Sequence, residues 1–429
     1  MLAGILVLLI FLAAAALMFT RKLPALLALP LMAIAVALVA GLSQAGWSWH
    51  ETLKPYLFDR VIVGGSSRLA GAMVTTMFGA VLSQVVMRQG IAQHLIRLAA
   101  EYAGDHKLLL ALILYAAVAS NFAALSGLGA VIMVGSLVLP ILVSSGFSAL
   151  YSATVMLLGI AIGGMFNPAN WRLYQELLGM TPEQIKPVVM ELAMILLAVS
   201  LFYLLWEGSR QSKVFAWAAP NLAETRRVPA YALLTPILPP ILMLTLKWPD
   251  LPAFMAAILY GCLVIQPQRL VANLTAAILE GLKDVSPVIG LFVGLGMALN
   301  ATSDPMASSI MHPFLQAVLP QSPLGFVAFF WLAAPFTLYR GPLNLFGLGA
   351  GFAALMAKLG VLPPAAVMVA FMGVGQVQSV CDPTNTHNVW IGQFVHESPD
   401  RILRHTFPYL WVYVLIALSY MVAVRGIVQ

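Results

Sequence analysis

Two short polar runs interrupt long apolar segments of the chain and decide its fold. Residues 167–170 read NPAN, and residues 381–388 read CDPTNTHN. Proline removes a helical hydrogen-bond donor and disfavours helical geometry in the residue before it, so each run predicts a break in a helix. The alternative is a helix that ends at the membrane surface with an Asx-type cap. Two breaks at matched places in the chain favour interrupted helices.

The composition around these runs is that of a membrane protein. Of the 429 residues, 61% are hydrophobic and only 9% are charged, whereas a soluble domain carries roughly a quarter of charged residues. Apolar runs of about 16 to 25 residues recur, which is enough to cross a hydrocarbon core. The net charge of +6 does not indicate a nucleic-acid partner, because the basic residues lie in short loops that orient helices. We therefore predict a multi-pass protein of the lipid bilayer, in a bacterial inner (plasma) membrane.

Six apolar segments precede a basic stretch, and six follow it. They are predicted at 2–20, 23–44, 61–87, 107–145, 148–169, 188–206, 230–247, 252–267, 285–303, 324–358, 363–385 and 406–425. Equal numbers on the two sides suggest an internal duplication.

Five short matches recur in the same order in both parts of the chain, at offsets that drift between 215 and 229 positions. They pair LPA at 23–25 with 251–253, ETLK at 51–54 with EGLK at 280–283, GLGA at 127–130 with 347–350, NPAN at 167–170 with DPTN at 382–385, and TPE at 181–183 with SPD at 398–400. We predict an all-α polytopic membrane protein of two repeats, 1–206 and 229–429, joined by a basic linker at 207–228.

Two of the segments, 107–145 and 324–358, are too long for one crossing and contain small and polar residues. We interpret each as a re-entrant hairpin, so that each repeat crosses five times and the second repeat is inverted. The loop 88–107 carries three basic residues whereas its counterpart 304–322 carries none, which the positive-inside rule expects of inverted copies. The linker would then be cytoplasmic and both termini external.

The functional site is predicted where the helices are interrupted. Irregular backbone cannot face lipid, so it must line a cavity or be buried in protein, and inverted repeats with broken helices indicate a transporter site near mid-membrane. The predicted substrate-binding residues are Ser126, Asn167, Asn170, Arg340, Asn344, Thr384, Asn385 and Thr386. The predicted residues for cation or proton coupling are Asp382, His387 and Asn121, and a sodium ion would lie near Asn167, Asn170, Asp382 and Asn385.

Arg340 is the strongest candidate for binding an anion. An arginine at membrane depth is costly and faces a cavity or a partner, and its planar fork suits a carboxylate. The alternatives are an ion pair with Asp382 and snorkelling to the interface. For His387, a structural hydrogen bond is the alternative to a proton-transfer role. Arg68, a second intramembrane arginine, has no basic counterpart in the second repeat and ranks lower.

Motifs of enzymes are missing from the sequence. It contains no His-Glu-x-x-His, no Cys-x-x-Cys and no phosphate-binding loop. We therefore predict that the protein is not an enzyme, has no catalytic residue, and uses no cofactor other than Na⁺ or H⁺ as a coupling ion. The glycines at 290, 294 and 296 are interpreted as sites of close helix packing.

This pattern resembles the ion transporter superfamily of organic-anion secondary transporters. That group includes divalent-anion/sodium symporters, citrate and gluconate permeases, C4-dicarboxylate carriers and the large permease subunits of TRAP systems. Thr384-Asn385-Thr386 looks like the Ser-Asn-Thr signature that divalent-anion symporters place at each helix break, whereas the run at 167–170 departs from it in having no hydroxyl beside Asn170. The resemblance implies an elevator mechanism in a homodimer and an organic-anion substrate.

The sequence therefore predicts symport of a small organic anion, such as a di- or tricarboxylate or a sugar acid, with H⁺ or Na⁺. One alternative is a permease subunit that receives its substrate from a soluble binding protein, as in TRAP-like systems. A passive channel is the other.

Overall fold

The protein is an all-α membrane protein, as the sequence predicts. The computed structural model describes residues 2–20, 22–44, 46–103, 106–211, 228–303, 305–320, 322–360 and 362–428, and within these ranges there is no β-strand. Within the same ranges, six helices are long and apolar enough to cross a membrane, or seven if one bent pair counts as a single span. A multi-pass membrane protein is thereby confirmed. The predicted linker lies mostly outside the described residues.

The first part of the chain contains, in its described residues, nine helices that we label α1 to α9. Their bounds are Leu2–Phe19, Ala25–Leu42, Ala70–Arg88, Ile91–Ala103, Lys107–Phe122, Leu128–Ser144, Ala149–Met165, Pro168–Leu178 and Pro182–Ser209. Wide π-helical turns at Trp49–Leu53 and Pro55–Gly64 and a short turn at Gly65–Ser67 lead into α3. The prolines at 168 and 182 open their helices, where the missing N–H has no partner to lose.

The second part contains nine more helices among its described residues, α10 to α18. Their bounds are Leu238–Leu246, Asp250–Ile265, Leu270–Ser303, Pro305–Val318, Pro323–Ala333, Gly349–Lys358, Pro364–Cys381, Thr386–Phe394 and Pro399–Arg425. Short 3₁₀ helices precede α10 and α12, at Ala230–Ile237 and Pro267–Arg269, and a third, Ala334–Arg340, follows α14. The order of long, short and paired helices therefore repeats between the two parts.

Two stretches that we took as loops are helices. α4 and α13 occupy most of 88–107 and 304–322, and α12 begins at Leu270, well before the predicted start at 285. Helix α4 buries Ile91, Ala92 and Ile96 on a single face, as residues of an amphipathic helix do. A search for continuous apolar runs misses such helices, because their polar face lowers the average.

The packing between the two parts comes in exchanged pairs. α2 packs on α12 while α11 packs on α3, and α6 packs on α17 while α15 packs on α8. Helices in equivalent places also meet each other, namely α3 with α12, α7 with α16 and α9 with α18. Most residues of α7 and of α16 are buried, so the two interrupted helices lie in the interior of the bundle.

The equivalent helices α9 and α18 run antiparallel. Arg425, at the end of α18, donates to Glu191 near the start of α9 at 2.9 Å. At the other end Tyr409 donates to Glu207 at 2.6 Å, and His405 is 2.9 Å from the hydroxyl of Tyr203. This is the arrangement expected of helices from two copies of opposite orientation.

Glycines let α12 cross its neighbours closely, as the sequence indicates. A Cβ at residue 294 would approach Pro30 of α2 to 2.8 Å, and one at residue 296 would collide with the carbonyl oxygen of Gly65. Gly65 in turn lies against Met297. The small residues therefore set the contact between α12 and the segment that leads into α3.

Candidate functional site

The first helix break is closed by Asn167, which caps α8. Its side-chain oxygen accepts from the backbone N–H of Ala169 at 3.0 Å. Its amide nitrogen points the other way and donates to the carbonyl oxygens of Phe122 and Leu125 and, at 3.4 Å, to the hydroxyl of Ser126. These acceptors form the tip of the first hairpin, α5–α6, so Asn167 ties the tip to the break. With all its polar atoms bonded, Asn167 is occupied by structural contacts.

Two side chains of α8 cap the end of α7. Asn170 donates to the carbonyl oxygen of Gly164 at 2.7 Å, and Trp171 donates to that of Met165, also at 2.7 Å. Carbonyls at a helix end need donors from outside the helix, and that of Gly164 also accepts from the backbone N–H of Asn167 at 3.2 Å. The two helices meet at a bend of 53°, so break 1 is short, bent and internally bonded.

The tip of hairpin 1 also bonds to α3. The hydroxyl of Ser83 accepts from the backbone N–H of Ser126 at 2.9 Å and is 3.1 Å from its carbonyl oxygen. Gly127, with φ +92°, makes the turn into α6, a conformation that glycine adopts at little cost. Ser126 is therefore held from two sides, by Ser83 and by Asn167.

The second helix break centres on the fully buried carboxylate of Asp382. One of its oxygens accepts from the backbone N–H of Thr384 at 2.8 Å and from the Thr384 hydroxyl at 2.7 Å. The other accepts from the backbone N–H of Arg340 at 3.4 Å. Asp382 thus bonds the connection between α16 and α17 to the tip of the second hairpin, α14–α15.

Asn388, in the first turn of α17, holds the end of α16. Its amide nitrogen donates to the carbonyl oxygens of Val380 and Asp382 at 3.1 and 3.0 Å. The bond to residue 382 spans six positions, as does the bond from Asn170 to Gly164 in break 1. Its side-chain oxygen is buried and accepts no hydrogen bond from the described residues.

Asn385 caps α17 by position but not by hydrogen bonding, since its side chain bonds no N–H of the helix's first turn. Its amide nitrogen is 3.3 Å from Nε2 of His387, which is 2.9 Å from the carbonyl oxygen of Ser379. His387 therefore has the structural hydrogen bond that we considered as the alternative to proton transfer. Thr386 is exposed at the start of α17.

The tip of hairpin 2 is strained and tightly bonded. Tyr339 and Arg340 have φ values of 56° and 57°, in the left-handed region that costs about 1–3 kcal/mol for a residue with a side chain. Asn344 is fully buried, donates to the carbonyl oxygen of Thr337 at 3.1 Å and accepts from the N–H of Phe346 at 2.8 Å. Asn344 therefore shapes the tip, and both ends of its amide are used.

The guanidinium of Arg340 forms no salt bridge with Asp382 in the part of the chain that the structure describes. Its Nη1 donates to the carbonyl oxygen of Phe346 at 3.2 Å, while Asp382 bonds to the backbone of Arg340 instead. Of our two alternatives for this arginine, an ion pair with Asp382 is thus not formed. The guanidinium keeps donors for a further acceptor.

The structure groups the predicted residues by hairpin and break. Ser126 lies with Asn167 in the first part, and Arg340 lies with Asp382 and Thr384 in the second. Asn121 is fully buried in α5; its amide nitrogen bonds to the carbonyl of Ala117 in its own helix, and its oxygen accepts no hydrogen bond from a described residue.

The helix caps change the correspondence between the two breaks. The sequence match pairs Asn167 with Asp382, 215 positions apart. The caps of α8 and α17 are Asn167 and Asn385, 218 positions apart, and this register also pairs Asn170 with Asn388. An Asn-x-x-Asn pattern therefore opens both short helices, and Asp382 lies in a longer connection that break 1 lacks.

Sequence reasoning missed Asn388, Ser83 and Asp284 as polar contacts of the two sites. The repeated Asn-x-x-Asn spacing could have found Asn388. Ser83 of α3 bonds to hairpin 1, and the carboxylate of Asp284 of α12 lies against Gly129 at the start of α6; no local pattern marks either residue. No group of three His, Cys, Asp or Glu side chains within the described ranges could hold a metal ion. The unbonded amide oxygens of Asn121 and Asn388 are neutral oxygen donors, the ligand type that hard cations take.

No family model and no curated protein matches this sequence. Solved structures do match it along nearly its whole length. The YdaH transporter of Alcanivorax borkumensis, described as having an unusual topology, superposes with a TM-score of 0.65 at 13% identity, over 94% of this chain and 98% of that chain.

A second match is MtrF of Neisseria gonorrhoeae, described as illuminating a class of antimetabolite efflux pumps. It superposes with a TM-score of 0.59 at 14% identity, over 94% of this chain and 96% of that chain. At such low identity the likeness establishes the fold. The chain thus has a fold found in membrane transporters.

Proposed function

We propose that the protein is a secondary active transporter that moves a small organic anion together with H⁺ or Na⁺. The observation that carries the proposal is the bonding of each hairpin tip to a helix break at the centre of a multi-pass bundle, through Asn167 in one half and Asp382 in the other. Folds shared with YdaH and MtrF support transport in general. Broken helices supply ion and substrate sites in transporters because their freed backbone groups point into the space between the repeats.

The substrate is proposed to bind at break 2. Arg340 has donors left for an anion, and Asp382 links its backbone to the break that carries the hydroxyl and amide groups of residues 384–386. A di- or tricarboxylate or a sugar acid matches a guanidinium with neighbouring neutral donors. Break 1 contributes less to binding in this proposal, because Asn167, Ser126 and Asn170 are engaged in structural bonds.

The two halves are proposed to be inverted repeats, residues 1–206 and 229–429. Antiparallel packing of α9 on α18 and the exchanged contacts support this arrangement. The same proposal includes an elevator movement of the hairpins and broken helices. It also includes a homodimer, a bacterial inner-membrane location and a cytoplasmic linker. We also propose that the chain is related to the ion transporter superfamily.

Likeness to MtrF favours a second candidate, the export of an antimetabolite. Both modes are driven by the cation gradient and are distinguished by where the substrate accumulates: symport accumulates it on the side that the cation enters, and antiport accumulates it on the side that the cation leaves. A permease fed by a soluble binding protein would transport only after that protein is added, and a passive channel would ignore the gradient.

The test is a thermal-shift screen of the purified chain against organic acids, with and without Na⁺ and across pH, because a ligand stabilises the state it binds. Acids that raise the melting temperature are then tested for uptake into proteoliposomes. We expect Arg340→Ala and Asn385→Ala to reduce uptake at least tenfold. Arg68→Ala is the matched control, since Arg68 is exposed and bonded to Asn300. Wild-type uptake by both site variants would overturn the site.

A further inference from the structure

The indole of Trp390, on α17, lies in a notch on α6, the second arm of hairpin 1. Gly135 makes the notch, because a Cβ at that position would come to 2.5 Å from Cζ3 of the indole and 3.0 Å from its Cη2. Met156 of α7 also borders the notch, with its terminal methyl 2.9 Å from the same point. Any side chain at residue 135 would therefore displace the indole, and glycine lets the two helices approach closely.

The indole is surrounded by apolar side chains. The ring centroid of Phe394, one turn further along α17, is 5.0 Å from that of Trp390. Met156 is fully buried, and Trp390 packs against the buried core. Large aromatic side chains contribute much of the packing between helices. The notch thereby joins α17, which belongs to the second half of the chain, to hairpin 1 of the first half.

The helix that carries Trp390 begins at break 2. Thr386, a proposed substrate contact, and Trp390 are four residues apart and so lie on the same face of α17. Asn388, between them, bonds α17 to the end of α16. α17 has nine residues, about two and a half turns. Because helix formation is cooperative, a substrate that orders the first turn of α17 also orders the turn that carries Trp390.

Hairpin 1 is thus in contact with both halves. Its tip is bonded to break 1 through Asn167, which donates to the carbonyl oxygens of Phe122 and Leu125. Its second arm contacts the helix that follows break 2. Gly135 is the eighth residue of α6, about two turns from the tip. A change in the order of α17 therefore reaches the tip through a short stretch of one helix.

We propose that Trp390 is a positioning residue that transmits substrate binding at break 2 to hairpin 1. The bound substrate orders the first turn of α17 and holds the indole in the notch at Gly135. The indole in turn holds α6 and the adjacent tip, so that one bound substrate orders groups from both halves. Such a link is a coupling free energy between two sites. This inference rests on the proposed function and adds the contact by which the first half responds to that substrate.

The test is hydrogen exchange of the purified full chain, with and without saturating succinate, citrate or gluconate, read at residues 122–135. An acid that raises the melting temperature of the wild type is expected to slow exchange there at least about threefold. In Trp390→Ala the same acid should still raise the melting temperature, but the slowing should be lost. Slowing that persists in Trp390→Ala would overturn the proposal, as would a bound acid that slows nothing at residues 122–135 of the wild type.

Gly135→Ala provides a second variant in case Trp390→Ala does not fold. The added methyl group should displace the indole and abolish the slowing. The double variant Gly135→Ala/Trp390→Phe should restore it, because phenylalanine lacks the outer ring carbons that approach residue 135. Normal slowing in Gly135→Ala, or no recovery in the double variant, would refute the role of the notch.

Trp411→Ala is the matched control. It also removes an indole that packs between two helices, since Trp411 of α18 stacks on Trp331 of α14 with ring centroids 4.6 Å apart. This variant should lower the melting temperature and keep the slowing at residues 122–135. Loss of the slowing here as well would mean that any loosened helix abolishes it, which overturns the inference. If none of the acids in the screen stabilised the wild type, the proposed function itself would fail.

Discussion

Each helix break is bonded to a hairpin tip, but break 1 uses a side-chain donor and break 2 uses a side-chain acceptor. At break 1 an amide, Asn167, donates to the carbonyl oxygens of its hairpin tip. At break 2 a carboxylate, Asp382, accepts the N–H of its hairpin tip. Break 1 has one residue before its cap and a sharp bend, whereas break 2 has three residues before its cap and continues as one span, Pro364–Phe394.

Under the proposed function, this difference separates a structural joint, break 1, from a binding site, break 2. At break 1 both ends of the amide of the cap residue, Asn167, form hydrogen bonds within the protein. At break 2 the cap residue, Asn385, bonds no N–H of its helix, and Asn388 keeps an unbonded oxygen. Polar atoms without protein partners are those that a ligand can satisfy. We therefore expect substitutions to cost stability at break 1 and function at break 2, with Asp382 and Asn388, which bond the backbone at break 2, as the exceptions.

The largest effect is expected for Asp382→Ala. It leaves the N–H and hydroxyl of Thr384 and the N–H of Arg340 without an acceptor in a buried site, at a cost of about 3 kcal/mol or more. The strained tip at Tyr339 and Arg340 should then open. Hydrogen exchange of residues 334–348 measures this. Asp382→Asn, which keeps an acceptor oxygen, should have a smaller effect, and protection of the tip that survives in Asp382→Ala would refute the anchoring role.

Asn167→Ala should come next. It removes a helix cap, worth about 1 kcal/mol, and the donor to two buried carbonyls, so we expect a total loss of about 2 kcal/mol. Faster exchange at residues 122–128 and a lower melting temperature of the purified protein would report it. Ser83→Ala loosens the same tip from the α3 side and should have a smaller effect. Equal melting temperatures for wild type and Asn167→Ala would contradict the contrast between the breaks.

Asn388→Ala and Asn170→Ala compare the two bonds that span six residues. Asn388 donates to two buried carbonyls and Asn170 to one, so we expect losses of about 1–2 and about 1 kcal/mol respectively. Thermal unfolding of the two variants, made in the same background, gives the order. The reverse order would mean that the number of carbonyls bonded by each asparagine does not set its contribution to stability.

The smallest effect on stability is expected for Asn385→Ala, at less than about 0.5 kcal/mol, because its side chain does not cap α17. Its melting temperature without ligand should match that of wild type, while the stabilisation by the best organic acid should fall. If the acid raised the melting temperature of Asn385→Ala as much as that of wild type, Asn385 would not belong to the binding site. Break 2 would then be no better supported as a binding site than break 1.

Sequence reasoning predicted most spanning helices and both helix breaks, because these features follow from composition and from the positions of prolines. Apolar segment lengths gave most spanning helices, and Pro168 and Pro383 marked both breaks. The prolines also gave a wrong residue pairing between break 1 and break 2. Pro168 is the first residue of α8, while Pro383 lies in the connection before the cap of α17. Both are places that need no N–H donor, so aligning proline with proline shifted the register by three residues.

Contacts between distant helices could not be predicted in the same way. The partners of the hairpin 1 tip, Ser83 and Asp284, are separated from it by about forty and more than one hundred and fifty residues of sequence, and nothing local to either marks the contact. The roles of Asn167 and Asn344 were likewise visible only once their amides were placed, because a buried asparagine in a sequence looks the same whether it binds a solute or the backbone.

The exchanged packing of α2 on α12 and of α11 on α3 has a consequence for how the chain assembles. Within its own half α2 contacts α1 and α11 contacts α10, but the packing of α2 on α12 and of α11 on α3 forms only when both halves are present, so the early spans enter the bilayer before these partners are made. A gene cut between codons 211 and 228 should yield two fragments that are degraded when expressed singly and rescued when expressed together.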